Sequence, residues 1–174
     1  MKFIRVTGLA AMLLFPWPVV AADQLRGTCA GVTGEVLDAG LARGELVKET
    51  ASPNAPSGVD WQMTNIRLVE RTNRIPLTDG SIMLVSYRLS GLPVGQPINI
   101  RTVVEFPPMI DTNGRSKTKE EGTLKLSGNS DKTGQEYWTF ASKYPLEMVS
   151  GLWAFNYFYK DCQLFRKEFQ AFKP

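Results

Sequence analysis

The run YPLEMVSGLWAFNYFYKDCQLFRKEFQAF, residues 144–172, constrains the fold more than any other part of the chain. Trp153, Phe155, Tyr157 and Tyr159 fall on alternate positions. Side chains of a β-strand alternate between faces, so this spacing lines four rings along one side. Such a surface must be buried against a second layer, because aromatic rings are the largest apolar contributors a chain has. Lys160-Asp161 is a short polar turn, after which the chain returns through Leu164 and Phe165 to Phe169. The stretch reads as the closing hairpin of a β-sandwich, with Tyr159, beside the turn, the ring most exposed.

The rest of the chain repeats the pattern in shorter pieces. An early strand is expected over 30–38, with the segment around it irregular and Gly-rich. Residues 52–58 (SPNAPSG) read as a mobile loop. Strands follow over 61–70, 81–89 and 97–106, the second β-branched and central. Pro76 and Pro107-Pro108 read as stops, since proline cannot donate to a ladder. Asn113-Gly114 suits a turn, 115–121 reads as a charged solvated loop, 123–127 as a short strand and 136–140 as a longer one. The expectation is one all-β domain over 23–174, an antiparallel Ig-like sandwich of seven to eight strands with no amphipathic helix.

Residues 1–22 have the form of a secretory signal. Lys2 and Arg5 precede the apolar core, and Val20-Ala21-Ala22 offers small residues before a cut at Asp23. The apolar run is short for a bilayer and carries Pro16 and Pro18, so no stable membrane span is expected after cleavage. The expected location is the periplasm or beyond. Cys29 and Cys162 are the two cysteines, both in the exported part, and an even count in an oxidising compartment reads as a disulfide. A redox-active pair needs closely spaced cysteines such as CxxC, which they are not.

Charge and composition exclude some functions. Without Lys2 and Arg5 the chain has 18 basic against 17 acidic residues, a balance that argues against nucleic-acid binding. It has no histidine, which removes the commonest general base and metal ligand. Asn129-x-Asp131-x-Thr133-Gly134 echoes a calcium loop, but its twelfth position is Phe140 where a bidentate glutamate belongs. No metal or other cofactor is expected.

From Thr72 onward the chain carries a set of turn and core motifs. They are Ile75-Pro76, Tyr87-Arg88-Leu89, Phe106-Pro107, Glu147 and Gly151-Leu152-Trp153-Ala154-Phe155, with a late Phe169. In these it resembles a family of small exported bacterial domains, presumed β-sandwiches, that have no assigned activity. Ser150-Gly151 stands where members often have Pro-Gly, and Lys160-Asp161 where they often have Gly-Lys. The resemblance implies a fold and no chemistry.

Candidate binding residues are few. Arg67, Arg71, Arg74, Arg88 and Arg101 lie in or beside strands and would form an anion-binding patch if they shared a face. The plainer reading is a solvated sheet face with cross-strand ion pairs. Trp61, Trp138, Trp153 and Tyr159 would form a carbohydrate platform if two rings were coplanar and exposed, but alternate aromatics usually belong to a core. Ser142-Lys143 is adjacent rather than spaced for a dyad, and no G-x-S-x-G occurs. Glu120-Glu121 falls in the charged segment, where nothing indicates the burial that raises a carboxyl pKa. Glu147, flanked by apolar residues, is the acid to watch. The expectation is a non-catalytic module that associates with an envelope protein or peptide, for instance by strand-edge pairing. A carboxylate-dependent hydrolase or isomerase is the alternative, recognisable by two carboxyls facing one pocket with at least one raised pKa.

Overall fold

A computed structural model describes residues 23–128 and 131–174. The signal-like residues 1–22, and Asn129 of the calcium-like loop, lie outside the described residues. The described chain is an all-β sandwich whose one helical element is a 3-10 turn at Pro145–Glu147. Ten strands are present rather than seven or eight: β1 Arg26–Cys29, β2 Val32–Ala51, β3 Val59–Glu70, β4 Arg74–Pro76, β5 Ser81–Ser90, β6 Pro97–Ile110, β7 Ser116–Ser127, β8 Lys132–Phe140, β9 Gly151–Tyr159 and β10 Cys162–Phe172. One sheet runs β1-β2-β5-β8 with β3 also paired to β2; the other runs β4-β10-β9-β6-β7. All pairings are antiparallel except β4 with β10, which is parallel.

The closing hairpin forms as its spacing dictates. Trp153, Phe155, Tyr157 and Tyr159 all face the core. Lys160 and Asp161 both take positive φ, 48° and 61°, the backbone of a tight hairpin turn. Trp153 is the hub, with Trp138, Phe140 and Phe106 at 5.1, 5.3 and 5.4 Å between ring centroids, and its indole N–H donates to the Val149 carbonyl. Tyr157 stacks on Phe165 at 4.4 Å. Tyr159 is 7% exposed, so the expected exposed ring is a core ring: the inward parity persists to the last strand residue.

Four other expectations are corrected. The N-terminal segment is regular: β2 is a 20-residue strand, not a short one over 30–38. Its glycines serve close approach; a Cβ on Gly40 would stand 2.0 Å from the Glu70 carbonyl oxygen. Strand β6 runs through Pro107-Pro108, because the β6–β7 register breaks between Glu105 and Met109 and these prolines interrupt no ladder bond there. Of residues 115–121, all but Arg115 form half of edge strand β7 rather than a loop. The segment 72–76, read as the close of the preceding strand, contains a strand of its own, β4, whose last residue is Pro76 at an edge position that tolerates it.

The disulfide joins Cys29 at the end of β1 to Cys162 at the start of β10, with Cα atoms 5.8 Å apart. It clamps one sheet to the other across 133 residues of chain. The entropy it removes from the unfolded chain corresponds to about 4–5 kcal/mol.

Register breaks at Leu41/Ala42, Arg43/Glu45 and Leu46/Lys48 bend the β2–β3 ribbon, and Asn65 adopts a positive φ of 50° within it. The bent ribbon packs Met63, Ile66 and Leu68 onto Ala42, Ile82, Leu84 and Tyr137, forming a second, smaller core on the outer face of the β5–β8 sheet. Its tip, residues 52–58, is held in place rather than free. Ser57 N–H donates to Glu147 Oε1 at 2.9 Å, Thr112 N–H to the Pro56 carbonyl, and Lys117 Nζ to the carbonyls of Pro53 and Asn54. The ribbon thus reaches from one sheet to the turn joining β6 and β7 of the other.

Candidate functional site

The tethered ribbon borders a half-open cavity of about 310 Å³ at the margin of the sandwich. Val59, Asp60 and Trp61 of β3 form one wall, Gln135 to Thr139 of β8 another, Val104 of β6 and Glu120 of β7 a third. Ala55 in the ribbon tip, Tyr144 and Glu147 complete it. Each lining segment is placed by local structure. On β8, Glu136, Trp138 and Phe140 share a parity: Glu136 and Trp138 are bonded or packed to the core residues Tyr157 and Trp153, while Tyr137 between them joins the outer cluster. The Tyr137 hydroxyl donates to the Trp61 carbonyl and accepts the Met63 N–H, both at 3.1 Å, which fixes β3 beside β8. Glu120 lies opposite Val104 in the β6–β7 ladder.

Four carboxyls line this cavity: Asp60, Glu120, Glu136 and Glu147. Burial pushes Glu120 up to about 7, helped by the charges of Asp60, Glu147 and Glu136 and opposed by Lys117. Burial also raises Glu136, against the hydrogen bond it accepts from the Tyr157 hydroxyl at 2.6 Å. Glu147 is raised by burial as well, partly offset by the Ser57 N–H it accepts. Behind Glu136, burial followed by the Glu136 and Tyr87 neighbours lifts the Tyr157 phenol well above its ordinary value. Among the described residues three buried side-chain atoms lack a hydrogen-bond partner, Glu120 Oε2, Trp138 Nε1 and Thr139 Oγ1, and all three belong to residues of this one lining. A buried polar atom left unsatisfied costs about 1–3 kcal/mol, so their concentration in one place needs a reason. Among the described residues no three acids or cysteines converge closely enough to hold a metal ion.

Of the residues singled out in the sequence, Trp61, Glu120, Trp138 and Glu147 line the cavity, and the arginines go elsewhere. Arg67, on β3, stands opposite Arg43 in register and is exposed. Arg71 makes a two-pronged ion pair with Asp38 at 2.9 and 2.7 Å. Arg88, exposed on β5, lies between Glu35 and Thr133 in the ladders. Arg101 is in the other sheet, over the Phe158 ring at 4.1 Å and 3.9 Å from Asp161. They do not form one anion-binding patch. Nor do the tryptophans form a coplanar platform: Trp153 is fully buried, and Trp61 meets Tyr144 edge to face at 72°.

Glu147, the acid marked in the sequence by its apolar neighbours, is buried and lines the cavity. Glu120, expected to be solvated, is instead the acid with the most strongly displaced titration on this wall. Asp60, Glu136 and Tyr144 carried no sequence argument. A readable signal did exist for Glu136, a carboxylate at the inward parity of Trp138 and Phe140, where burial of a charge calls for an explanation.

No family model matches the chain, and no curated protein matches it. Among solved structures it is similar to an immunoglobulin-like protein from Pseudomonas aeruginosa, at 19% identity and a TM-score of 0.52, over 83% of this chain and 100% of that one. Weaker likenesses include an alkylpurine DNA glycosylase from Pseudomonas fluorescens, at 10% identity and a TM-score of 0.39 over 56% of this chain and 28% of that one. A beta-glucosidase from Listeria innocua matches at 13% and 0.36, over 56% and 15%. At these identities a likeness speaks to architecture, and the chain has an immunoglobulin-like β-sandwich fold.

Proposed function

We propose that this protein is an extracytoplasmic immunoglobulin-like binding module that takes a small polar ligand into the cavity beneath the β2–β3 ribbon. The observation that carries this reading is the coincidence of the three unpartnered buried polar atoms with a four-carboxyl lining. A folded chain keeps such costs where they serve recognition. The signal-like leader and the Cys29–Cys162 bridge support placement in the periplasm or outside the cell. Resemblance to exported bacterial domains points the same way.

Strand-edge recruitment of an envelope protein or peptide is less well served. Edge strand β7 carries Lys119 and Glu121 as an ion pair, and charged edges discourage strand addition.

A second reading, a carboxylate-dependent hydrolase or isomerase, has the signature expected of it, since four carboxyls line one pocket and burial raises Glu120, Glu136 and Glu147. Glu120, brought to about 7 among other acids, has the affinity of a group that could exchange a proton at neutral pH. The two readings separate by experiment. Amide spectra of the oxidised mature chain, titrated with a library of small polar molecules, should shift at Trp61, Trp138 and Glu120 without turnover. Conversion of an envelope polymer fragment that Glu120→Gln abolishes would establish the enzyme instead. Shifts confined to surfaces away from the cavity would remove both.

A further inference from the structure

We infer that the ligand of this cavity is a small organic cation, an amine or guanidinium, seated between the Asp60, Glu120 and Glu147 carboxyls and the Trp61–Tyr144 ring pair. The inference rests on the reading of the cavity as a ligand site and names what that site takes.

The lining contains four acids and no lysine or arginine, which disfavours an anion. Lys117, the cation that most affects Glu120, is already engaged with the carbonyls of Pro53 and Asn54 and with Asp111 at 4.0 Å. The groups facing Glu120 are therefore Asp60 of β3, Glu136 of β8, Glu147 of the 3-10 turn and Lys117 of its own strand. One positive charge among them relieves three repulsions at once, which a neutral polyol cannot do. Glu120 Oε2, buried without a donor, gains an N–H from such a ligand.

The aromatic part of the wall fits the same chemistry. Trp61 and Tyr144, 5.7 Å apart and edge to face, both line the cavity, and Lys143 Nζ already stands 5.2 Å from the Tyr144 ring centroid, so this ring pair sits where a cation is accepted. The 310 Å³ volume is at the lower end of the range, roughly 300–1,000 Å³, of small-molecule pockets, so it suits one head group rather than a polymer segment. Because a bound cation favours the ionised carboxylate, binding near neutrality displaces a proton from Glu120.

The test is calorimetry on the oxidised mature chain with agmatine as cationic probe, glucose as neutral probe and acetate as anionic probe, in two buffers of different ionisation enthalpy. Agmatine should bind, release about half a proton at pH 7, and bind up to about tenfold more tightly at pH 8 than at pH 6. Glu120→Gln should weaken it by about tenfold at pH 8 and abolish the proton release, and Trp61→Ala should weaken it several-fold, about 3- to 10-fold. Melting curves of both variants, and unchanged binding by Arg88→Ala, guard against misfolding as the cause. Glucose binding without agmatine binding would overturn the cation while leaving the cavity a ligand site. Binding of none of the three probes, with no response to a wider polar library, would overturn both. Agmatine binding untouched by Glu120→Gln and Trp61→Ala would place it elsewhere and also refute the inference.

Discussion

The hairpin β9–β10 and the β7–β8 margin under the ribbon are built from the same periodicity and end in opposite states. In the hairpin, Trp153, Phe155 and Tyr157 stack into neighbouring rings and the Trp153 indole N–H finds a carbonyl. At the margin, Glu136 occupies an inward position beside Trp138 and Phe140, Glu120 faces it from the other sheet, and three buried polar atoms stay unpaired. One region is optimised for packing; the other keeps unfavourable electrostatics in a structure able to bear it. That contrast is the ground for the proposed ligand site, because stability alone would select apolar residues at both places.

The comparison can be broken in several ways. Trp153→Ala should destabilise by about 3–5 kcal/mol, measured by denaturant unfolding, because the hub cannot collapse around the void. A loss below 1 kcal/mol would mean the hairpin is not the better-packed region. Replacing both cysteines by alanine should cost about 2–5 kcal/mol, and the native protein should weigh two protons less than its reduced form; alkylation of native protein at both thiols would refute the bridge.

The margin predicts a pH dependence of definite sign. Glu120 has a folded pKa of about 7 against an ordinary 4.5, so the folded chain holds a proton that the unfolded chain gives up. Stability is therefore highest below about pH 4.5 as far as this group is concerned, and falls as pH rises from 4.5 through 7. With Glu120 partly open to solvent, its share of the fall is about 2 kcal/mol, and Glu136 and Glu147 add in the same direction. Glu120→Gln should flatten the profile by that amount and leave the protein more stable at pH 8 than the native chain. An unchanged profile would show that this carboxyl is not held in its neutral form. The smallest effect belongs to a surface arginine: Arg101→Ala should cost about 0.5–1 kcal/mol through its loss from the Phe158 ring, and leave cavity binding unaltered.

How far the residues could be read varies with how local their causes are. The 153–159 alternation and the Lys160-Asp161 turn are local, and both were legible. The second half of strand β7 was legible as 123–127, but its first half was not, because the charged run 116–121 has no apolar alternation to display. The two prolines at 107–108 misled because proline stops a strand only where a ladder bond is due, and the bulge removes that demand. The arginines share a chemistry but not a face, and their separation across two sheets depends on strand pairing that a single sequence does not display.

The sequence by itself determined a sandwich with aromatic rings between its layers and a covalent tie from front to back, since period-two spacing and cysteine number act without knowledge of partners. It also marked Glu147 as an acid among apolar neighbours. Only the tertiary structure decided that residues 60, 120, 136 and 147, spread over 88 positions of chain, line one half-open cavity. The raised titration of Glu120, Glu136 and Glu147 comes chiefly from exclusion of water, joined at Glu120 and Glu147 by the charge of neighbouring acids, and both depend on distance in space rather than along the chain.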